Sequence, residues 1–509
     1  MGLLKKLAGQ SAIYGVSSIL GKSINFLLVP LYTGYLPKED LGSFTILYAL
    51  IAFLNVVFTF GMETTFFRFA TGKGLSPEKV YQNAQSLVTL VAILLGASLY
   101  VSAAPLSLLF DFPGKGHLFQ WAAMILTIDA LMAIPFAKLR LEGRSVTFAS
   151  VKLINIFLNV GFNVLFIVIA FHIVSGDILP SLQPWVSQWY QPNWGVDYIL
   201  LSNVLANFLI LPLVWKLVGK WKFELKASLL NPMWHYAMPL LFMGLAGVTN
   251  EVFSRGLFEF ALPEGFYPNL TSREAGGVFG ANFKLAIIMS LIIQAFKYAG
   301  EPFFFQQAEN KNNPQLFARV MHWFIIFCTV LMVGVAVNLD IIGSLFFQAE
   351  GYAIALPMVP LLLMGYLLLG VYYNLSIWFK ITDQTQYSFY ITFTGAVVTV
   401  VIILTLVPVF GFIGGALSTL GCYLTMVIFC YVTGQKHYPI PYQTKKDVTY
   451  LCLAFLFSYG GFWLDTGNTV LDFLLHNAIF LVFVAFIFYM EKKELYSLIK
   501  SIIKPKHAN

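Results

Sequence analysis

The chain has 509 residues, of which 58% are hydrophobic and 11% charged, and its mean hydropathy is +0.76. That composition excludes a water-soluble globule and leaves no length for a sizeable soluble domain. The net charge of +7 is scattered over many short segments and so excludes a nucleic-acid-binding face.

A hydrocarbon core about 30 Å thick requires ~20 apolar residues per spanning helix. Runs of that kind recur fourteen times. They predict spans 1 to 14 over 10–32, 42–62, 83–104, 119–137, 150–174, 196–218, 236–260, 276–298, 318–342, 354–373, 388–409, 412–433, 448–464 and 470–490. The fold class is therefore an all-α polytopic membrane protein. The longest connection, 175–195, carries Trp185, Trp189 and Trp194 and reads as an interfacial loop with aromatic anchors.

Lys and Arg set the expected orientation. Twenty-five of the 31 fall in alternate connections and the span ends beside them, against Lys38, Lys115 and Arg273 on the other side. Positive charge collects in the cytoplasm, so both termini are expected there. The basic tail 491–509 is expected to lie along the anionic inner leaflet. No secretory signal peptide is read at the start, because the first apolar run is too long. Cys328, Cys422, Cys430 and Cys452 lie in apolar spans without ligand spacing, and the seven histidines form no metal motif. No metal or cofactor is expected.

Weak internal symmetry divides the chain. Tyr35-Leu-Pro-Lys-Glu-Asp-Leu-Gly-Ser-Phe44 and Gly61-Met-Glu-Thr-Thr-Phe-Phe67 have counterparts six spans later. These are Ala261-Leu-Pro-Glu264, Arg273-Glu-Ala-Gly-Gly-Val-Phe279 and Gly300-Glu-Pro-Phe-Phe-Phe305. An even number of spans per unit keeps orientation, so the two six-helix lobes, 1–220 and 221–435, form a parallel pseudo-repeat. Two additional helices (436–490) and the tail follow. Parallel repeats are common in transporters, with the substrate site at their interface.

Ionisable residues inside a bilayer are costly and usually mark function. Span 1 carries Ser11, Tyr14, Ser18, Lys22 and Asn25 on one helical stripe, and span 2 carries Tyr48, Asn55, Thr59 and Glu63, with Arg68 beyond. Span 7 holds Asn250, Glu251, Ser254, Arg255 and Glu259, while span 8 holds Lys284, Gln294 and Lys297, with Glu301 past its end. Spans 10 to 14 are nearly free of such groups. Bland readings stand beside the functional ones. Glu251, Arg255 and Glu259 can neutralise one another along one helix face, Lys284 can pair with Glu251, and Glu63 and Arg68 can be interfacial anchors. Asp129 in span 4 is either a helix-packing group or an ion-coupling site. Gly411, Gly414, Gly415 and Gly421 read as a small-residue packing face.

Several of these strings carry a resemblance. Ser11-Ala-Ile-Tyr-Gly-Val-Ser-Ser-Ile-Leu-Gly-Lys22, Thr59-Phe-Gly-Met-Glu-Thr-Thr-Phe-Phe-Arg-Phe-Ala70, Phe279-Gly-Ala-Asn-Phe-Lys-Leu-Ala286 and Ile293-Gln-Ala-Phe-Lys-Tyr-Ala-Gly-Glu-Pro-Phe-Phe-Phe305 resemble bacterial oligosaccharide-lipid flippases. These form the polysaccharide-transport branch of the multidrug/oligosaccharidyl-lipid/polysaccharide superfamily. Relatives more often place Arg where Lys22 stands, and many stop at twelve spans.

The resemblance implies a central cavity lined by spans 1, 2, 7 and 8 and two lobes that rock about it. Lys22, Asn25, Asn250, Glu251, Arg255 and Lys284 are then the expected contacts for a polyprenyl-pyrophosphate-linked oligosaccharide. Glu63, Arg68, Gln294, Lys297 and Glu301 are the expected gate or coupling residues, with Glu63 pairing Arg68 and Glu301 pairing Lys297. Membrane lipids and a glycan polymerase or glycosyltransferase system are the implied partners. The alternatives are a cation-coupled multidrug exporter of the same superfamily, which calls for an anionic cavity, and a membrane glycan ligase or polymerase. An enzyme is not expected, because the long loop offers Asp177 but no His, Arg or Lys.

The charge split makes a direct prediction. In a background lacking native cysteines, single cysteines at Lys115, Gln191 and Gly467 should react with an impermeant thiol reagent in intact cells. Cysteines at Lys222 and Lys445 should stay unlabelled, and their labelling would overturn the orientation.

Overall fold

A computed structural model describes residues 28–71, 76–192, 194–250, 254–294, 296–297, 313–347, 351–382, 384, 386–462, 464 and 466–503. Span 1 beyond its last turns lies outside them, as do Lys22, Asn25, Glu251 and Glu301.

Among the described residues the protein is helical, with one isolated bridge between Tyr267 and Leu270. Hydrocarbon offers no partner for backbone N–H and C=O groups, and helices satisfy them internally. Ten helices are long and apolar enough to cross a membrane: Lys38–Ala70, Pro77–Val101, Gly116–Leu141, Ser145–Val174, Gly195–Val218, Pro314–Ala336, Ala353–Ile381, Gln386–Phe410, Phe412–His437 and Thr469–Lys492. They correspond to spans 2 to 6, 9 to 12 and 14. Span 8 is a bent pair, Ser272–Leu285 and Ile287–Gln294, turning by 42°. Span 7 is the helix Ala227–Val248 followed by Ser254–Ala261, and span 13 is Thr444–Phe462. The protein is thus a multi-pass membrane protein.

Side chains gather into two large cores. One runs from Ile46 to Val218 of the first lobe and also takes in Met233 and Ala237 of the helix Ala227–Val248. The other is built mainly on residues from Phe258 to Cys430, and it also takes in Tyr32, Leu41, Phe166, Tyr190 and Tyr198. Those five sit toward the less basic end of the first lobe, so the two lobes share one core at that end. A small third core joins spans 9, 13 and 14 through Val333, Tyr450, Ala454 and Phe483. The expected glycine face also packs: Gly414 lies against the Leu406 carbonyl and Gly415 against Phe279 and Phe258.

The seam between the lobes is closest where span 2 meets span 8. A methyl group on Gly42 would collide with the Arg273 carbonyl, and one on Gly277 with the Lys38 carbonyl. These glycines allow backbone-to-backbone contact that any side chain would prevent. A capping box of Thr271 and Glu274 starts span 8 beside the seam. Arg273 then reaches across it. Its guanidinium donates to the Phe110 carbonyl at 3.3 Å, lies 4.2 Å from the Phe112 ring centroid and 3.8 Å from Asp111, and pairs with Glu259 of its own lobe at 3.0 Å. The less basic end is therefore shut.

Gly277→Leu should hold that end apart. A cysteine at Thr45, which packs on Gly280, should then label with impermeant reagent faster than in the parent protein. Equal labelling rates would mean the seam is not the closure.

Candidate functional site

The interface of the lobes brings two of the expected cations together. Arg255, on the last part of span 7, lies 4.8 Å from the centroid of the Phe283 ring of span 8. The next residue, Lys284, extends toward the first lobe, with Nζ 5.4 Å from the Tyr32 centroid and 4.8 Å from that of Phe44. Such geometry lets ring quadrupoles offset part of the cost of a desolvated ammonium. Arg255 and Lys284 are near enough for their charges to repel, and among the described residues no carboxylate lies within 4 Å of Lys284. Tyr32 is fixed from the other side, donating its hydroxyl to Asn163 Oδ1 at 3.0 Å. Asn163 immediately precedes a π-helical turn, Val164–Ile169, a local widening often found near functional sites.

Other expected members sit differently. Glu259 is engaged by Arg273, so it does not complete the ladder Glu251–Arg255–Glu259. Asn250 is buried against spans 11 and 12, donating to the Thr392 carbonyl at 3.1 Å and accepting from Thr399 at 3.4 Å. Gln294 donates to Ser290 Oγ at 3.4 Å, and Lys297 lies 4.4 Å from the Tyr373 ring centroid.

The pairing of Glu63 with Arg68 is corrected. Span 2 breaks at Phe60 and Gly61, both left-handed, and restarts as Met62–Ala70. Residues five apart on that short helix face different directions, since only positions three or four apart are neighbours. Arg68 is exposed. Glu63 pairs instead with Arg140 of span 4, whose guanidinium lies beside Phe67 and Phe148. The bridge joins two helices of the same lobe.

A buried amide network in the first lobe was only half visible in the sequence. Asn207 donates to Asp129 at 2.8 Å and to Asn203 Oδ1 at 3.0 Å, and accepts from Asn155 at 2.8 Å. Asn203 donates to the Tyr48 hydroxyl at 3.2 Å. Lys152 interacts electrostatically with Asp129 and lies 4.4 Å from the Phe136 ring centroid. The missed signal is Asn203 and Asn207, four residues apart in an otherwise apolar span. Spans 13 and 14 also hold more charge than expected. Glu491 continues the helix of span 14 and is buried, as is Asp447 at the start of span 13.

A lateral groove of about 450 Å³ opens where spans 2, 7 and 11 meet, lined by Phe53, Phe242, Thr249, Phe393, Ala396 and Val401 among others. Its one hydroxyl among these, on Thr249, is spent on the Leu245 carbonyl. Among the described residues no cluster of His, Cys, Asp and Glu could hold a metal ion.

No protein-family profile and no curated protein sequence matches the chain. Solved structures do match. The chain is similar to the lipid II flippase MurJ in an inward closed conformation, with TM-score 0.67 and 13% identity over 93% of this chain and 98% of that one. It is also similar to an inward-facing multidrug resistance MATE family transporter of the MOP superfamily, with TM-score 0.61 and 12% identity over 82% and 94%. A MATE protein in complex with MaD3S aligns with TM-score 0.54 and 13% identity over 85% and 95%. The chain has the fold of these membrane transporters. At such identities the likeness is one of architecture, and the site must be argued from this chain's own residues.

Glu63 and Arg140 have side chains 42% and 28% exposed, so their coupling should be small. A double-mutant cycle with Glu63→Gln and Arg140→Gln, read by thermal denaturation in detergent, should give about 0.2–1 kcal/mol. Asn207, by contrast, is buried, and Asn207→Ala strips the half-buried Asp129 carboxyl of its donor and should cost about 1–3 kcal/mol.

Proposed function

We propose that this protein is a flippase. It moves a polyprenyl-pyrophosphate-linked oligosaccharide from the cytoplasmic to the outer leaflet of a cell inner membrane by alternating access of its two lobes, and it catalyses no covalent step. The observation that carries the reading is the pair Arg255 and Lys284 at the lobe interface, with Lys284 held over Tyr32 and Phe44 of the opposite lobe. A diphosphate needs cations to leave the interface, and a poorly hydrated wall strengthens each contact. Two neighbouring cations whose charges repel are an unfavourable arrangement that an anionic ligand relieves. Lys22, Asn25, Glu251 and Asn250 complete the proposed cavity, and Glu63, Arg68, Gln294, Lys297 and Glu301 act in gating. The apolar groove between spans 2, 7 and 11 offers the lipid part a path that avoids water. The protein works with membrane lipids and supplies a glycan polymerase or glycosyltransferase system.

A cation-coupled drug exporter is the second reading. The MATE-like fold and Asp129 within its amide network favour it, while the cations at the interface favour the first.

Complementation of a deletion strain at matched membrane levels separates them. Lys284→Ala and Arg255→Ala should each lower surface glycan, with a loss of about 2–3 kcal/mol in binding, roughly 30- to 150-fold in occupancy. Lys284→Arg should retain export, and Lys22→Ala should act like Lys284→Ala. The effects should be non-additive because the cations share one ligand. Normal glycan in Lys284→Ala, together with lost drug resistance in Asp129→Asn, would favour the exporter.

A further inference from the structure

Beyond the lobe interface, one group of titratable side chains lies deep in the protein. His322, just over two turns into span 9, is fully buried, and both of its ring nitrogens face carboxylates. Nδ1 lies 2.5 Å from Asp447 Oδ1 of span 13, and Nε2 lies 3.4 Å from Glu491 Oε1 of span 14. Lys446 of span 13 reaches the same Glu491 oxygen at 2.5 Å, and Tyr450 donates its hydroxyl to it. Asp447 and Glu491 are 3% and 1% exposed, and His322 Nε2, Asp447 Oδ2 and Glu491 Oε2 have no hydrogen-bond partner, the 3.4 Å approach of Nε2 to Glu491 being an ion-pair contact only. Span 10, which also packs on span 9, has no charged residue between Val359 and Leu375. Arg319, on the same helix as His322, and Lys492, beside Glu491, are exposed.

Charge counting selects one state of this cluster. A neutral imidazole has one N–H and can donate to one carboxylate only, whereas the doubly protonated ring donates to both. With that second proton, His322 and Lys446 balance Asp447 and Glu491. Without it, a net negative charge stays buried in apolar surroundings, which is strongly disfavoured. The cluster supplies ion pairs between span 9 and spans 13 and 14, beside the small apolar core of Val333, Tyr450, Ala454 and Phe483, the paired amides of Asn338 and Asn477, and the Tyr459 hydroxyl on the Pro357 carbonyl. The Lys446 side chain, 32% exposed, connects it to the basic end.

We propose that His322, Asp447 and Glu491 form a proton-binding site, loaded from the basic side, that latches spans 13 and 14 onto span 9. The proton adds to the imidazole nitrogen that carries none in the neutral ring and returns to water when the latch releases, with no bond to carbon made or broken. This assignment stands independently of the substrate proposed above.

Spin labels at Phe327 on span 9 and Phe488 on span 14, both exposed, test it in the full-length protein reconstituted in nanodiscs. Raising the pH from about 5 to about 8, across which an imidazole ordinarily changes charge, should make a longer inter-label distance population grow. In His322→Gln the distances should not respond to pH. Should that variant fail to accumulate, Glu491→Gln, which cuts one arm, should flatten the response as well. In the wild type at the acidic end, nitrogen NMR of the His322 ring should show both nitrogens protonated. Distances that ignore pH in the wild type, an unchanged response in the variants, or a singly protonated ring would each overturn the proposal.

Discussion

Hydrocarbon cannot hydrate a charge or a peptide group, and this one constraint organises the molecule. It makes the chain helical, and it requires each buried ionisable side chain to find a partner inside the protein. The partners found here differ in kind. Arg273 is held by carboxylates, a carbonyl and a ring at once, and Asp129 by the amide of Asn207. Lys284 rests on aromatic faces. The first two arrangements meet each charge with hydrogen-bonding protein groups. Aromatic faces satisfy an ammonium only in part, because they supply no hydrogen-bond acceptor of carboxylate strength. At the lobe interface, therefore, the described partners of Lys284 compensate its charge only in part.

The closed end and the cationic site are mechanically linked through span 8. Its capped start at Thr271 presses on span 2 at Gly277, and its twelfth residue after Ser272 is Lys284, just before the bend at Ala286. A rigid helix of this length transmits a rotation at the seam to the ammonium beyond it. Tyr32 ties the same ammonium to Asn163 and the π-helical turn of span 5. Movement of the lobes at one end therefore changes the surroundings of Lys284 from two directions.

Much of the architecture was legible in the sequence because each apolar run records its own span, whatever its neighbours. The glycine face of span 12 was legible for a similar reason, since Gly414, Gly415 and Gly421 in one apolar helix have few other uses, whereas Gly411 proves to be the positive-φ residue that opens that helix. Partnerships across the fold were not. Glu63 looked toward Arg68 because they are close in sequence, but a break at Gly61 turned the short helix toward Arg140, 77 residues away. Asn155, Asn203 and Asn207 each look like an isolated polar residue, and only packing of spans 5 and 6 makes them a network around Asp129. His322, Asp447 and Glu491 lie at helix ends, where a hydropathy window reads charge as solvated. Burial there depends on span 14 continuing past the predicted boundary.

The contact of span 2 with span 8 has a further consequence for how the protein can move. At Gly42 and Gly277 it is made by backbone, with carbonyls facing bare α-carbons. Dispersion attraction of that sort fades within about 0.5–1 Å of separation. A long side chain at the contact, Arg273, is held by Glu259 of its own lobe and meets the first lobe only around Phe110, Asp111 and Phe112. Partial opening therefore loses most of the contact at once, and the seam behaves as a snap fastener with two positions in place of a graded hinge.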